Sequence, residues 1–219
     1  MAAGQATRMG RDKLLLPWQG TTVLGYVLQT ALEAAGFLPR HNGKGLRMEL
    51  YVVAREPFQT YLTADQSRMF HRQNGFWLQV PKPQPLSETV RCGLNSLDDE
   101  IRCIGFLPGD QVGVTVSGLA ECFRQVGKSL VDSSDIFDSS KLLTKPDILI
   151  PLAGGKTVSP VFFHRKYAPE LSELRGEQGG KTVLSRYPEK WLTFQVEEGF
   201  ARDLDTPEQY EDLLNEVRM

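Results

Sequence analysis

Three short runs rich in β-branched and aromatic residues constrain this chain most: residues 48–54 (MELYVVA), 101–107 (IRCIGFL) and 147–152 (DILIPL). Each reads as a strand buried on both faces. Between them lie stretches whose apolar residues recur at helical spacing. Residues 21–35, for example, place Val23, Leu24, Val27, Leu28 and Ala31 on one face before Gly36 stops the turn. A chain that alternates buried strands with one-sided helices satisfies both by sandwiching a sheet between two helical layers. The expectation is therefore a three-layer α/β/α, Rossmann-like fold with a mostly parallel sheet. Further helices are expected at 57–70, 88–97, 118–126 and 207–217, and further strands at 75–80, 158–163 and 191–196. Residues 129–145 are polar and poorly periodic, and read as an irregular insertion. No repeat and no long linker divides the 219 residues, so a single domain over 1–219 is expected.

Charge and composition exclude several classes. A net charge of −2 lacks the basic excess of a general nucleic-acid binder. No apolar run approaches the ~20 residues that cross a bilayer, and the opening residues have no apolar stretch of the signal-peptide kind. Cys92, Cys103 and Cys122 lack metal-type spacing and read as reduced structural thiols of a cytoplasmic protein. His41, His71 and His164 are scattered, which argues against a histidine-centred metal site or triad.

The chemistry-bearing stretch is the segment 2–17, AAGQATRMGRDKLLLP. A triphosphate needs backbone N–H groups that approach closely, which glycine permits, and fixed positive charge over its oxygens. Gly4 and Gly10 supply the first, and Arg8 and Lys13 the second. The Walker-type alternative fails: Gly180-Lys181-Thr182 has the tail of that pattern, but Arg175 stands where its leading glycine should be.

Ala2, Ala3, Gly4, Arg8, Met9, Gly10, Lys13, Leu14, Leu15, Leu16 and Pro17 match a pattern of the form LAAG-xx-x-RMG-xx-K-LLLP. In this the chain resembles the molybdenum-cofactor nucleotidyltransferases. The resemblance continues in order through residues 86–94 (LSETVRCGL), 107–111 (LPGDQ), the stretch 151–177 and residues 203–208 (DLDTPE). It implies a nucleotidyltransferase with Mg2+ as its ion. The nucleotide would be held by Ala2, Ala3, Gly4, Gly10 and Lys13, with Ser87, Thr89 and Gly93 on the opposite wall. An alanine before the loop glycine goes with cytidine in that family, so CTP is the implied substrate. The implied acceptor is a molybdopterin-type phosphorylated cofactor, and a client molybdoenzyme is the partner such a product would reach. A guanylyltransferase, a sugar-phosphate nucleotidyltransferase and a non-catalytic molybdenum-cofactor handling or insertion protein are the alternatives.

Physical reasoning reaches the same residues for the metal. Asp110 follows a buried strand, at the carboxyl edge where open α/β sheets bind ligands, and a carboxylate there suits a hard cation bridged to phosphates. Asp203 and Asp205 are two apart in an extended segment and share a face, with Asp205 the first choice as ligand and Asp203 the second. Asp205 or Thr206 should also cap the helix that starts at Pro207. Arg8, Lys13 and Asp110 are then the expected catalytic set.

Three departures from the family pattern stand out. Val112-Gly113 replaces a proline-leucine pair, Pro85 replaces a glycine, and only Met1, Ala2 and Ala3 precede Gly4, too few for a central strand. Either the natural start lies upstream, or the sheet tolerates a truncated first strand.

Overall fold

The computed structural model describes residues 12–41, 44–80, 82–131 and 146–218. The opening strand, the loop residues Ala2, Ala3, Gly4, Arg8 and Gly10, and positions 132–145 of the insertion lie outside them.

The described chain opens on a 3-10 turn, Lys13–Leu15, and a hairpin of β1 (Pro17–Trp18) and β2 (Thr21–Thr22). Then come α1 (Val23–Ala35), the short pair β3 (Arg40–His41) and β4 (Lys44–Gly45), β5 (Leu50–Ala54), α2 (Phe58–Tyr61), α3 (Ala64–Arg72) and β6 (Gly75–Gln79). The middle holds α4 (Leu86–Leu94), β7 (Cys103–Phe106), α5 (Val116–Val126), β8 (Ile148–Ala153), β9 (Lys156–Thr157) and β10 (Val161–His164). Helices α6 (Ala168–Ser172) and α7 (Gly180–Leu184), strand β11 (Trp191–Gln195) and helix α8 (Pro207–Arg218) close the order.

The main sheet runs β11-β8-β10-β7, with β9 folded back on β8. β11 is parallel to β8, whereas β10 is antiparallel to both β8 and β7. Strands β7, β8 and β11 therefore share one direction, and β10 runs against them. β5 and β6 form a separate parallel pair. The sheet is mostly parallel in strand direction, as the sequence predicts.

Side-chain alternation establishes the three layers. Phe162 packs with α1 and α5 residues such as Val27, Ala31 and Leu119, while the adjacent Phe163 packs with Val90 of α4, Leu171 of α6 and Val183 of α7. On β8, Leu149 joins the first group and Ile148 and Ile150 the second. Successive strand residues point to opposite faces, so α1 and α5 cover one face and α4, α6 and α7 the other. Between β5 and β7, residues including Val52, Val53, Ile104 and Phe106 line a cavity of about 460 Å3.

The helix expected over 57–70 is two helices. Leu62 and Thr63 are extended. Thr63 restarts the turn through a reciprocal capping box with Gln66, and those two hydrogen bonds outweigh the continuous apolar period around them. The segment before Gly180 is helical as expected and forms α6, whereas α7 lies where no helix is expected. The hairpin of β1 and β2 and the short strands β3, β4 and β9 are likewise unforeseen.

Residues 110–113 and 199–204 run side by side. Gly113 N–H donates to the Arg202 carbonyl (2.9 Å), and Leu204 N–H donates to the Asp110 carbonyl (3.1 Å). Val112, the replacement for proline, is buried, and its own N–H donates to the Asp110 carbonyl (3.0 Å). A Cβ on Gly113 would stand 2.1 Å from the Gly199 carbonyl oxygen and 2.8 Å from the Arg202 nitrogen. Both obstacles are backbone and cannot rotate away. Gly113→Ala should therefore cost about 1–3 kcal/mol by overpacking, read as a lowered midpoint of chemical unfolding; an unchanged midpoint would show that the two segments are free to separate.

Candidate active site

The site begins at the 3-10 turn. Asp12 caps it, its Oδ1 accepting from Leu14 N–H at 3.1 Å. The next residues alternate: Leu14 and Leu16 are buried, Leu15 is exposed and Trp18 is buried again. Leu14, Leu16 and Trp18 enter an apolar cluster with Val112, Leu204 and Tyr210. Each large side chain buried there stabilises by about 1.5–3 kcal/mol. One core thus lies beneath the turn, the segment after Asp110 and the segment before Asp205. Tyr210 adds a polar tie, its hydroxyl donating to the Pro17 carbonyl at 2.7 Å.

On this base Lys13 is the meeting point. Its ammonium pairs with Asp110 Oδ2 and with Asp205 Oδ1 (3.0 Å) and donates to the Leu204 carbonyl (2.7 Å). Burial opposes the ammonium, but the hydrogen bonds and charges of Asp110 and then Asp205 outweigh it and hold Lys13 above the ordinary lysine value. Asp203 lies on the rim and is exposed, while Leu204 between the two acids is fully buried. Partial desolvation and then the negative charges of Asp205 and Asp110 push the Asp203 carboxyl above its usual range. Asp203 therefore feels both acids, but Asp205 is the one that meets Asp110 through Lys13.

Local structure explains why Asp205 is free to do so. Thr206 and Gln209 form the cap of α8: Thr206 Oγ1 accepts from Gln209 N–H (3.3 Å), and Gln209 Oε1 accepts from the N–H groups of Asp205 (2.9 Å) and Thr206 (3.1 Å). The cap falls to Thr206, and the Asp205 carboxylate is left to face inward. Asp110 is aimed by its neighbour Gln111, which is buried and donates to the carbonyls of Ser159 (2.8 Å) and Phe200 (2.9 Å).

The strand ends converge as well. Asp110 lies just past β7 and contacts Lys13, while Arg55 lies just past β5 and pairs with Asp12. Residues 12 and 13 are adjacent, so the carboxyl ends of β5 and β7 open on the same edge of the molecule, where α/β sheets bind ligands.

Two carboxylates neutralised by one ammonium form a site that already accommodates a cation. Among the described residues no group of three or more His, Cys, Asp or Glu side chains forms a closed metal cage. That donor set fits Mg2+, which takes one or two carboxylates and completes its shell with water and phosphate oxygens.

The opposite wall is less connected. Ser87 is buried at the start of α4, and its Oγ has no partner among the described residues. Thr89 is also buried, its hydroxyl donating to the Pro85 carbonyl at 3.5 Å, and Gly93 lies on the α4 face toward Val53. No hydrogen bond or ion pair joins Ser87, Thr89 or Gly93 to Lys13 or the three acids. The sequence expectations do not single out Asp12, Arg55, Tyr61 or Gln209, and they show Gln111 only as part of the 107–111 motif. The Asp-Lys-Leu-Leu order was a legible cap signal for Asp12, and Thr206-x-x-Gln209 was one for Gln209.

The described fold is similar to Rv0371c from Mycobacterium tuberculosis (20% identity, 98% of this chain and 95% of that one, TM-score 0.69). It is also similar to 4-diphosphocytidyl-2C-methyl-D-erythritol synthase from Anaerococcus prevotii (11% identity, 100% and 94%, TM-score 0.61). A third likeness is to molybdopterin-guanine dinucleotide biosynthesis protein A from Archaeoglobus fulgidus (14% identity, 100% and 97%, TM-score 0.56). At these identities the likeness is one of fold. No curated protein matches the sequence. The profile of the MobA-like NTP transferase domain matches residues 1–191, and the chain belongs to that family.

Proposed function

We propose that this nucleotidyltransferase moves CMP from CTP onto the terminal phosphate of a molybdopterin-type acceptor and releases pyrophosphate. The observation that carries the reading is the convergence of Lys13, Asp110 and Asp205 at the ligand-binding edge of the sheet. The CTP assignment rests on Ala3-Gly4 and on Gly109-Asp110-Gln111. In that pattern an alanine at position 3 would leave less room for a bicyclic purine than a glycine. Fold neighbours whose names include cytidylyl and guanine-dinucleotide enzymes leave both bases in play, so the base is a matter for direct assay.

In this reading an acceptor phosphate oxygen attacks the α-phosphorus in line. The new P–O bond forms as the bond to the α–β bridging oxygen breaks, and that electron pair leaves with pyrophosphate. No general base is required, since a phosphate nucleophile is already ionised near neutral pH. Lys13 and Arg8 stabilise charge on the α-phosphate and on the leaving group. Asp110 and Asp205 would hold Mg2+, with Asp203 beside them on the rim, and the ion supplies added positive charge for the phosphate oxygens when bound. A structure of Rv0371c in complex with manganese supports a divalent ion at a fold of this kind. Ser87 and Thr89 contact the base, and the unpartnered Ser87 hydroxyl supports that role.

The decisive assay measures pyrophosphate release with CTP, GTP and UTP in parallel, with Mg2+ and a phosphorylated pterin acceptor. CTP should be preferred and chelation of the metal should abolish release. A GTP preference would reassign the base, and triphosphate binding without turnover would make the chain a cofactor-handling protein. Lys13→Ala and Arg8→Ala should each lower turnover by about 10²–10³-fold while far-UV circular dichroism stays unchanged; near-normal rates in both would overturn the assignment.

A further inference from the structure

Asp12 and Arg55 have no part in the chemistry proposed above, yet Asp12 caps the turn that carries Lys13 and Arg55 is its partner. One oxygen of Asp12 caps that turn. The other pairs with Arg55 Nη2 and accepts a long hydrogen bond from the Tyr61 hydroxyl (3.5 Å). Both charged side chains are largely covered, Arg55 at 24% exposure and Asp12 at 16%. Tyr61 is buried, and burial together with the Asp12 charge pushes its hydroxyl up to about 12, so it acts as a donor. Arg55 is itself fixed, since its carbonyl accepts from Gln79 Nε2 (3.1 Å) at the end of β6. Its Nε is buried without a partner among the described residues, so Asp12 is the acceptor that sets the guanidinium.

The arrangement solves an electrostatic difficulty. An aspartate next to a phosphate-binding lysine is an anion in the wrong place: uncompensated, it competes with Asp110 and Asp205 for the ammonium and repels an incoming triphosphate. A guanidinium fork engages a carboxylate directionally, which a lysine ammonium does not. We propose that Arg55 and Asp12 are positioning residues of the nucleotide loop. Arg55 neutralises Asp12 and pins the turn, so that Lys13 is delivered to the metal-side acids and is not drawn back onto its own neighbour. The proposal takes the role of Lys13 from the nucleotidyltransferase reading, but where Lys13 is held does not depend on that reading.

The test uses the full chain with Arg55→Gln, Arg55→Lys, Asp12→Asn and the double variant Asp12→Asn/Arg55→Gln, each first checked for a cooperative melt. With CTP, Mg2+ and the phosphorylated pterin, Arg55→Gln should lower kcat by about 10²-fold with KM for CTP changed only a few-fold. Asp12→Asn keeps the capping oxygen and should lose less than about 10-fold, within the ordinary range for one cap. The double variant should turn over faster than Arg55→Gln alone, because the stranded charge is gone, whereas two independent structural losses would add. Arg55→Lys should fall between wild type and Arg55→Gln.

A second arm needs no turnover. Acylation of Lys13 by an N-hydroxysuccinimide ester, followed by peptide mass mapping, should change several-fold in Arg55→Gln and return toward wild type in the double variant. Unchanged Lys13 reactivity in a folded Arg55→Gln, or a double variant no better than that single one, overturns the proposal. If Arg55→Gln does not fold, the same comparison is read between Arg55→Lys and the double variant. Should wild type fail to turn over any triphosphate, the functional reading falls and the acylation arm still decides the positioning claim.

Discussion

A single ammonium group ties the chemical edge of this molecule together. Lys13 lies 192 residues from Asp205 in the chain, yet its Nζ meets that carboxylate, Asp110 and the Leu204 carbonyl at once. Each contact alone is a modest surface-type interaction. Their strength comes from the apolar cluster beneath, where Leu14, Leu16, Val112, Leu204 and Tyr210 pack against one another. Burial fixes the three backbones, and the charges then find their distances already set. Preorganisation of this kind is what electrostatic catalysis requires, since donors that need not reorganise during reaction keep their full effect.

The same economy appears in how the acids are presented. Asp205 could have been spent on capping α8, but Thr206 and Gln209 satisfy that helix end between them. Asp110 could have swung with its turn, but Gln111 anchors the loop to the carbonyls of Ser159 and Phe200, and Gly113 lets residues 199–202 lie against it. The Val112-Gly113 pair, a departure from the pattern the chain resembles, is thus accommodated: valine fills the core and glycine admits the neighbouring backbone.

Much of the fold was legible because its signals are local. The runs around Val52, Ile104 and Ile150 are strands since hydrophobicity and β-branching identify them without reference to anything distant, and α1 and α5 show their period within a dozen residues. Helix α7 spans five residues, too short for a period to declare itself. The break at Leu62-Thr63 runs against the apolar spacing and follows the Thr63-x-x-Gln66 capping signal. Lys13, Asp110 and Asp205 were named together through a family resemblance, and strand-end logic independently supported Asp110. Asp12 and Arg55 were not named, because neither is distinctive alone. Their importance exists only as a pair formed across the fold, and pairing of that sort is a property of topology.

The reversal of β10 has a consequence of its own. Its first residues approach from the chemical edge, where Ser159 receives Gln111, and its last residues end at the starts of β7 and β8, with His164 opposite Cys103 and Phe163 opposite Ile148. The chain therefore leaves for α6 from the far rim, where backbone ties among Arg102, Asp147, His164, Arg165 and Lys190 hold the strand starts together. One antiparallel strand divides the molecule into a reactive pole and a scaffolding pole. Loops at the second lie a strand's length from Lys13, Asp110 and Asp205.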